Sequence, residues 1–481
     1  MTDTAQPSSA TDPALLDALR EQVQGALPTT IADLSALVRL PSVSWSAFDP
    51  ANVRASAEAV ADLARSTGVF GADDVRIVRS AVDGDTADAE TSGAELGQPA
   101  VLAVRPARNG KPTVMLYAHH DVQPQGDDAL WETPPFEPTL RGDRLYGRGA
   151  SDDKAGVMTH IASLRAIHAQ FGDDLDLGVV LFVEGEEEFG SRSFRTFLRE
   201  QKEHLAADVI VVADSDNWSV DVPSITVSLR GNVTFKLTLT TLEHASHSGM
   251  FGGAAPDAMI PMVKLLASLH DDAGSVAVEG LTSYEADVPS RTDDELAVDA
   301  ALVAGVRPIG TGEVLSRMWF QPSITVTGMD VPSVANASNT LLPSVSARVS
   351  VRVAPGQDAR EAYAAVERHL RAHVPFGARM EITEPDSGDG FLVDTAGWAV
   401  QEARTAMREG WGAEAVEQGI GGSIPFVSDL AAEFPEAQIL VTGVEDPDTR
   451  AHSPNESQHL GVLHRAIASE AILLARLATR S

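Results

Sequence analysis

The stretch Leu181-Phe-Val-Glu-Gly-Glu-Glu-Glu-Phe-Gly190 joins a short apolar run to a cluster of carboxylates. A brief apolar run that stops at polar residues is typical of a buried strand. Carboxylates at close range repel one another, so either their pKa values rise or a cation lies between them. A solvated acidic turn has the same composition. The choice between a metal site and such a turn therefore depends on residues elsewhere in the chain.

Length and composition limit the classes of protein. A chain of 481 residues is too long for one ordinary core, which predicts two or three domains. The chain has no cysteine, which excludes disulfides, thiolate ligands and a cysteine nucleophile. Any metal must therefore be held by histidine and carboxylate. The formal net charge of -33 argues against a nucleic-acid partner, because phosphate binding needs clustered basic residues.

The N-terminal residues do not show the pattern of a secretory signal, since no basic region is followed by an apolar core. No apolar run approaches the roughly 20 residues that a bilayer-spanning helix needs. We therefore expect a cytoplasmic protein that does not bind a membrane.

Apolar strands and amphipathic helices alternate through the first half of the chain. Helical spacing covers Pro13–Leu40, where Pro28 predicts a break into two helices. Strands are predicted at Thr113–Ala118, Leu177–Val183 and Val209–Ala213. Near-continuous apolar strands separated by helices predict an α/β domain, with a mostly parallel sheet covered by helices on both faces.

A different pattern begins near Ile225. Residues Ile225–Thr240 alternate apolar with polar, which predicts one long antiparallel strand with an open face. Further strands and two helices follow, and they predict a smaller α+β domain of ferredoxin-like type. The helix and strand pattern of the first domain then resumes. We expect the larger domain to comprise residues 1–228 and 390–481, interrupted by the smaller domain at residues 229–389.

Polar groups follow several strands of the larger domain at the point where each strand ends. In an open parallel sheet, ligands bind at the carboxyl ends of the strands, so these groups should converge. Two histidines and three carboxylates suit two divalent ions, with a further glutamate left over as a base. The groups in question are His119 and Asp121, Glu187 and Glu188, Asp214, His452 and, at the start of a helix, Asp152.

Five motifs together resemble one family. They are His119-His-Asp-Val-Gln-Pro124, Leu145-Tyr-Gly-Arg-Gly-Ala-Ser-Asp-Asp-Lys154, Glu184-Gly-Glu-Glu-Glu-Phe-Gly-Ser191, His247-Ser-Gly249 and Ala451-His-Ser-Pro-Asn-Glu456. In this order they resemble the M20 metallopeptidases, especially the carnosinase-like dipeptidases. The resemblance spans residues from about 110 to 460.

The resemblance implies a role for each candidate in the metal site. Glu187 would be the general base, taking a proton from a bridging water and passing it to the leaving amine. Asp121 would orient the site. Asp216 competes with Asp214 for one ligand role, and the spacing to Arg230-Gly231 favours Asp214. The implied ligands are His119 and Asp214 for one metal, Glu188 and His452 for the other, and Asp152 as the bridge.

The smaller domain would be the lid and dimerisation domain of this family. His247 is similar to the family histidine that reaches the partner subunit's site in a homodimer and stabilises the oxyanion. Arg352 lies where the family has an arginine for the substrate's C-terminal carboxylate. Asn339 and Ser423 are further candidates for contacts with the substrate.

One departure concerns the loop before Ser423. The family commonly has an Arg-Glu type pair there, whereas this chain has Gly419 and Ile420, which removes charge beside the substrate. The acidic insertion Asp83–Gln98 suggests an exposed loop without an inferred function.

The resemblance implies a zinc-dependent dipeptidase that acts on short peptides with a free C-terminal carboxylate. Manganese or cobalt could replace zinc, because oxygen-rich sites with two histidines do not select zinc decisively. An N-acyl amino acid deacylase or desuccinylase would use the same water attack on a different amide. A catalytically silent binding or scaffold protein is the alternative from another class, and the intact set of implied ligands and base argues against it.

Overall fold

The computed structural model describes residues 12–83, 95–422 and 425–480. Its helices, in chain order, are α1 (Pro13–Val38), α2 (Pro50–Ser66), α3 (Lys154–Phe171), α4 (Phe194–Glu200), α5 (Lys202–Leu205), α6 (Ser248–Phe251), α7 (Met259–Ala267), α8 (Asp293–Asp299), α9 (Val314–Trp319), α10 (Ala359–His373), α11 (Trp398–Trp411), α12 (Pro425–Glu433) and α13 (Leu460–Thr479).

Short and long strands lie between these helices in the chain. They are β1 (Val75–Val78), β2 (Ala100–Arg105), β3 (Thr113–His119), β4 (Thr139–Arg141), β5 (Arg144–Tyr146), β6 (Gly178–Glu184), β7 (Val209–Val212), β8 (Ser224–Leu229), β9 (Gly231–Thr240), β10 (Ser246–His247), β11 (Ser323–Asp330), β12 (Thr340–Leu341), β13 (Ser344–Val353), β14 (Arg379–Gly388), β15 (Phe391–Leu392), β16 (Val416–Ile420), β17 (Gln438–Thr442) and β18 (Ser457–His459).

Two compact units divide the chain. The first contains residues up to Thr226, Val393–Gln418 and the residues from Asp429 onward, and the second contains Val227–Leu392 and Gly419–Ser428. The domain boundaries expected from the sequence, after residues 228 and 389, stay a prediction. The segment Gly419–Ser428 groups with the second unit, and no sequence pattern indicated this.

The strands of the first unit form a large sheet in the order β1-β2-β6-β3-β7-β17-β8. Its central strands β6, β3, β7 and β17 run parallel. Antiparallel strands flank them on either side. Strands β6 and β7 are buried along their whole length, as their continuous apolar runs predict. The predicted α/β class with a mostly parallel central sheet is confirmed.

The prediction that Pro28 ends a helix is wrong, because Pro28 lies inside the single helix α1. Proline removes one backbone donor and crowds the preceding turn, which destabilises an isolated helix. Helix α1 packs against α3 and α13, and it buries Leu19, Val23 and Leu34, on both sides of the proline. Burial of this apolar face over both halves outweighs the local cost of the proline.

The second unit contains a four-stranded antiparallel sheet in the order β11-β13-β9-β14. Strand β9 alternates buried and half-buried residues along its length, so one face of the sheet packs on the core. Buried residues of α7 and α10, such as Met262, Leu265 and Val366, belong to the same hydrophobic core as Phe235 and Val349. The unit therefore has the predicted α+β arrangement.

The prediction of one strand over Ile225–Thr240 is wrong. The chain forms two strands, β8 and β9, which belong to different sheets and are separated at Arg230. The Arg230 side chain donates hydrogen bonds to the carbonyls of Gly421 and Gln321, at 2.8 and 3.2 Å. At Gly231 a Cβ would lie 3.0 Å from the carbonyl oxygen of Gly388, so a larger residue there would crowd the neighbouring backbone.

The predicted acidic loop Asp83–Gln98 lies mostly outside the described residues, because residues 84–94 are among those left out. Across the part of the chain that the structure describes, no helix combines the length and apolarity needed to cross a bilayer.

Candidate metal centre

Polar residues lie at or just after the ends of three adjacent parallel strands, at one edge of the large sheet. Strand β3 ends at His119, β7 ends just before Asp214, and the loop after β6 carries Glu187 and Glu188 in a short 3₁₀ turn. Because these strands run parallel, their carboxyl ends lie at the same edge. Asp152 comes from the segment before α3.

The first group of ligand atoms comprises His119, Asp152 and Asp214. The Nε2 atom of His119 lies 3.2 Å from Asp152 Oδ1 and 3.9 Å from Asp214 Oδ1. Zn–N and Zn–O bonds of about 2.0–2.2 Å place ligand atoms roughly 3–4 Å apart around one ion. The spacing of this group therefore suits a divalent cation.

The second group comprises Asp152, Glu188 and His452. The Nε2 atom of His452 lies 2.9 Å from Asp152 Oδ2 and 3.2 Å from Glu188 Oε2. Asp152 thus directs one oxygen to each group. This is the arrangement that a carboxylate needs to bridge two ions.

The electrostatics of the cluster favour bound cations. Burial raises the pKa of Glu188 to about 7, with the Asp152 charge acting in the same direction, and burial also raises the pKa of Asp214 to about 6. Hydrogen bonds with Asp152 and Glu188 raise the pKa of His452 to about 11. The shifts show how strongly the crowded carboxylates and the histidines interact, and a cation between them would relieve the repulsion of the carboxylates. Oxygen and imidazole donors suit zinc, manganese or cobalt.

Glu187 belongs to neither group but lies beside them, with its Oε2 atom 4.0 Å from His119 Nε2. Burial raises the pKa of Glu187 well above its ordinary value, and the neighbouring Asp214 and Glu188 charges add to this, while His119 opposes it. A carboxyl group next to the paired ligand groups is thus disposed to accept and hold a proton.

Asp121 holds the parts of the site together. Its carboxylate accepts the backbone N–H groups of Glu187 and Glu188, both at 3.1 Å, and the hydroxyl of Ser44 at 2.7 Å. Its Oδ1 atom also lies 3.4 Å from His119 Nδ1. A fully buried Asp121 therefore orients one histidine and the turn that carries both glutamates.

Two supporting residues were not singled out from the sequence. Gln123 donates its backbone N–H and its side-chain amide to Glu188, at 3.1 and 2.6 Å. Asp153 accepts the backbone N–H of His119 at 3.1 Å and caps α3 through Gly156. Both lie inside motifs that contain predicted ligands, and this was the only signal in the sequence.

The choice between Asp214 and Asp216 is clear from their surroundings. Asp214 lies with His119 and Asp152, whereas the side chain of Asp216 is hydrogen-bonded to Glu445. Burial raises the pKa of Asp216 to about 6. The geometry thus brings Asp214, and not Asp216, into the first group.

The substrate-binding candidates fall in the second unit. His247 and Asn339 are neighbours, since β10 pairs with β12 and Ser248 donates its N–H to the Asn339 carbonyl at 2.9 Å. Arg352 lies on β13, opposite Asn232 of β9. Burial lowers the pKa of Arg352. Ser423 lies outside the described residues.

Comparison with protein families matches residues 115–476 to "Peptidase family M20/M25/M40". This range contains every candidate ligand and most of both units.

Two curated relatives are dipeptidases by name. A "Cysteinylglycine-S-conjugate dipeptidase" from Corynebacterium striatum is 35% identical over 78% of this chain and 83% of its own length. A "Beta-Ala-His dipeptidase" from Homo sapiens is 27% identical over 74% of this chain and 73% of its own length. The structure of human carnosine dipeptidase 1 matches with a TM-score of 0.76 at 23% identity, over 97% of this chain and all of that one, and shows the same fold. The chain belongs to peptidase family M20/M25/M40 and is a metallopeptidase, which confirms the family and the enzyme class that the motifs predict.

Proposed function

We propose that this enzyme hydrolyses the amide bond of a dipeptide or similar short peptide with a free C-terminal carboxylate, and that it uses two divalent ions. One observation carries the proposal: Asp152 is shared by two histidine–carboxylate groups, with Glu187 as a spare carboxyl group beside them. Two ions in such a site would polarise the amide carbonyl and lower the pKa of water. Zinc suits the donors, and manganese or cobalt could replace it.

Glu187 acts as general base and then as general acid in this proposal. Its carboxylate takes a proton from the attacking water and delivers it to the nitrogen of the leaving amine. The raised pKa of Glu187 supports the role, because burial and neighbouring carboxylates stabilise its protonated form. Asp121 keeps Glu187 in place through the backbone N–H, at 3.1 Å.

His247 stabilises the oxyanion. Its Nδ1 atom accepts the backbone N–H of Gly249 at 3.0 Å, so the neutral ring carries its proton on Nε2. The Nε2–H group is then a donor for a developing negative charge. We propose that His247 does this for the partner subunit of a homodimer formed through the second unit. Asn339, next to His247, and Ser423 provide further substrate contacts.

Arg352 binds the substrate's C-terminal carboxylate, a task for which a guanidinium is suited because it can donate two parallel hydrogen bonds. Arg230 lies close enough to Arg352 for the two charges to interact. Burial and the Arg352 charge lower the pKa of Arg230 to about 10. Two positive charges in one region favour an anionic group of the substrate.

The dipeptide is favoured over an N-acyl amino acid by two relatives, whose names describe dipeptidases. The N-acyl amino acid is supported by Gly419, where the chain lacks the charge that the family commonly has beside the substrate. A Cβ at Gly419 would lie 2.6 Å from Ser228 Oγ and from Trp319 Cβ. No larger side chain fits there, so the charged pair common in the family is excluded on steric grounds as well as by sequence. The ligand groups and the base are intact, which argues against a catalytically silent binding or scaffold protein.

A hydrolysis screen tests the substrate class. Purified enzyme with added zinc or manganese is offered dipeptides, the same dipeptides with an amidated C-terminus, and N-acyl amino acids. We expect the free dipeptides to be cleaved and the amidated ones to be cleaved poorly, because Arg352 then lacks its carboxylate partner. Cleavage of N-acyl amino acids in preference to all dipeptides would contradict the proposal.

Mixing two variants tests the shared site. His247→Ala and Glu187→Gln should each have very low turnover, while their mixture should recover activity because a mixed dimer contains one complete site. His244→Ala is the matched control, since His244 is an exposed histidine three residues away whose Nδ1 contacts the Ala245 carbonyl, and we expect it to keep wild-type turnover. Lack of recovery after subunit exchange would argue against a histidine supplied by the partner.

A further inference from the structure

Glu456 is a fully buried carboxylate whose hydrogen bonds converge on the segment before α3. Its Oε1 atom accepts the backbone N–H groups of Ser151 and Asp152, both at 3.1 Å. Its Oε2 atom accepts the N–H of Gly149 at 3.0 Å and the Nη1 of Arg148 at 2.6 Å. One carboxylate therefore binds three backbone donors within four residues, and one of these donors belongs to the shared ligand.

The backbone strengthens the same connection. The carbonyl of Glu456 accepts the N–H of Gly147 at 3.0 Å, and the next residue, Ser457, pairs with Tyr146 between β18 and β5. Arg148 is buried as well, and its Cζ atom lies 5.4 Å from the ring centroid of Trp131. The charge of Glu456 is thus neutralised by a buried guanidinium that is held in place by packing.

Glu456 also lies four residues after His452, within the loop that leads into β18. The loop with His452 and the segment with Asp152 are therefore fastened to each other at Glu456. Their side chains meet again at the second ligand group, where His452 Nε2 lies 2.9 Å from Asp152 Oδ2. A displacement of Glu456 would change the position of two of the three ligands in this group.

We propose that Glu456 is a positioning residue for the metal pair: it sets the backbone of Asp152 and its distance to His452, and thereby the affinity for the second ion. The inference rests on the proposed two-metal function. Substitution of residues that orient metal ligands typically lowers metal affinity or activity by about 10- to 100-fold, and we expect an effect of this size.

The test is a calorimetric titration of metal-free protein with Zn²⁺, for wild type and Glu456→Gln. Glutamine has nearly the same volume as glutamate, but its NH₂ group cannot accept a hydrogen bond. One side of the Glu456 carboxylate therefore loses its hydrogen bonds to backbone N–H groups or to Arg148. We expect the variant to bind one ion as wild type does and the other about 10- to 100-fold more weakly. With saturating metal, kcat should fall while KM changes little, because the substrate contacts assigned above lie elsewhere.

Glu402→Gln is the matched control. Glu402 is a buried glutamate of the same unit, paired with Arg476 at 2.7 Å and Arg480 at 3.1 Å. Its substitution should lower stability, while both zinc affinities and kcat stay at wild-type values. Should Glu456→Gln fail to fold, Arg148→Lys keeps the positive charge but loses the guanidinium geometry, and it should weaken the same ion in the same titration.

Two outcomes would overturn the inference in different ways. A Glu456→Gln or Arg148→Lys protein that loses stability but binds both ions with wild-type affinity would show a merely structural role. Wild-type protein that binds fewer than two ions would instead overturn the proposed function on which the inference rests.

Discussion

The two ligand groups that share Asp152 contain the same donors, one histidine and one further carboxylate each, but they are built differently. In the first group the His119 side chain is 1% exposed and sits at the end of a central strand. In the second group the His452 side chain is 57% exposed and lies on the loop between β17 and β18, with a left-handed backbone φ of 59°. Apart from the shared Asp152, the first group thus has its ligands in or directly after central strands, whereas Glu188 and His452 lie on a turn and a loop.

This difference shows how a two-metal site can combine a rigid ligand group, at the strand ends, with a solvent-accessible one on the loops. The ligands at the strand ends are held by the sheet, with support from Asp121 and Asp153. Glu188 and His452 depend on hydrogen bonds between loops, such as those from Gln123. We therefore expect the second ion to bind more weakly and to exchange faster than the first.

The largest effect should follow from Asp152→Asn, because this residue serves both groups. We expect turnover to fall by more than about 10³-fold and both zinc affinities to decrease, since a neutral amide replaces the shared charge. Metal content and kcat are the measurements. Asp143→Asn removes an aspartate that also contacts a histidine, His459 at 3.0 Å, and it should leave both quantities unchanged. A variant that loses only one ion would show that Asp152 does not bridge.

A smaller and asymmetric effect is expected for the two histidines. His119→Ala and His452→Ala should each lose one ion of the pair. In urea denaturation of the metal-free proteins, His119→Ala should cost about 1–3 kcal/mol more than His452→Ala, because only His119 is fully buried and leaves a cavity when it is truncated. Equal losses of stability would contradict the contrast between a sheet-built and a loop-built group.

The smallest effect on turnover and metal binding concerns Glu184, which ends β6 just before the turn with Glu187 and accepts the hydroxyl of Tyr117 at 2.7 Å. Burial raises the pKa of Glu184 from its ordinary value of 4.5 to about 8. As the pH rises from 4.5 to 8, the unfolded state releases this proton and the folded state keeps it, so folding stability falls across this range and levels off above it.

Glu184→Gln removes this titration. Between pH 5 and pH 8 the free energy of unfolding of wild type should decrease relative to the variant by about 2–4 kcal/mol, as measured in urea. Parallel pH profiles for the two proteins would show that Glu184 ionises normally in the folded state. Because both proteins keep the ligand groups, metal binding affects the two profiles alike.

The sequence predicted the centre of the fold and the convergence of ligands for a simple reason. Continuous apolar strands such as Leu181–Val183 are buried on both faces, and parallel strands end at one edge, so His119, Glu188 and Asp214 had to meet. Contacts between distant segments have no such local signal. The support that Glu456 provides to Asp152, the break of the long alternating run at Arg230, and the tolerance of Pro28 in α1 all depend on tertiary packing.

The central claim is that Glu187 moves the proton while its neighbours hold the metal. Its most direct test is to measure turnover and metal content of Glu187→Gln in parallel, on a dipeptide that wild type hydrolyses. We predict a loss of kcat of more than about 10³-fold with two ions still bound, because the variant lacks only the proton acceptor. Turnover near the wild-type rate with both ions bound would contradict the assignment of Glu187 as the base.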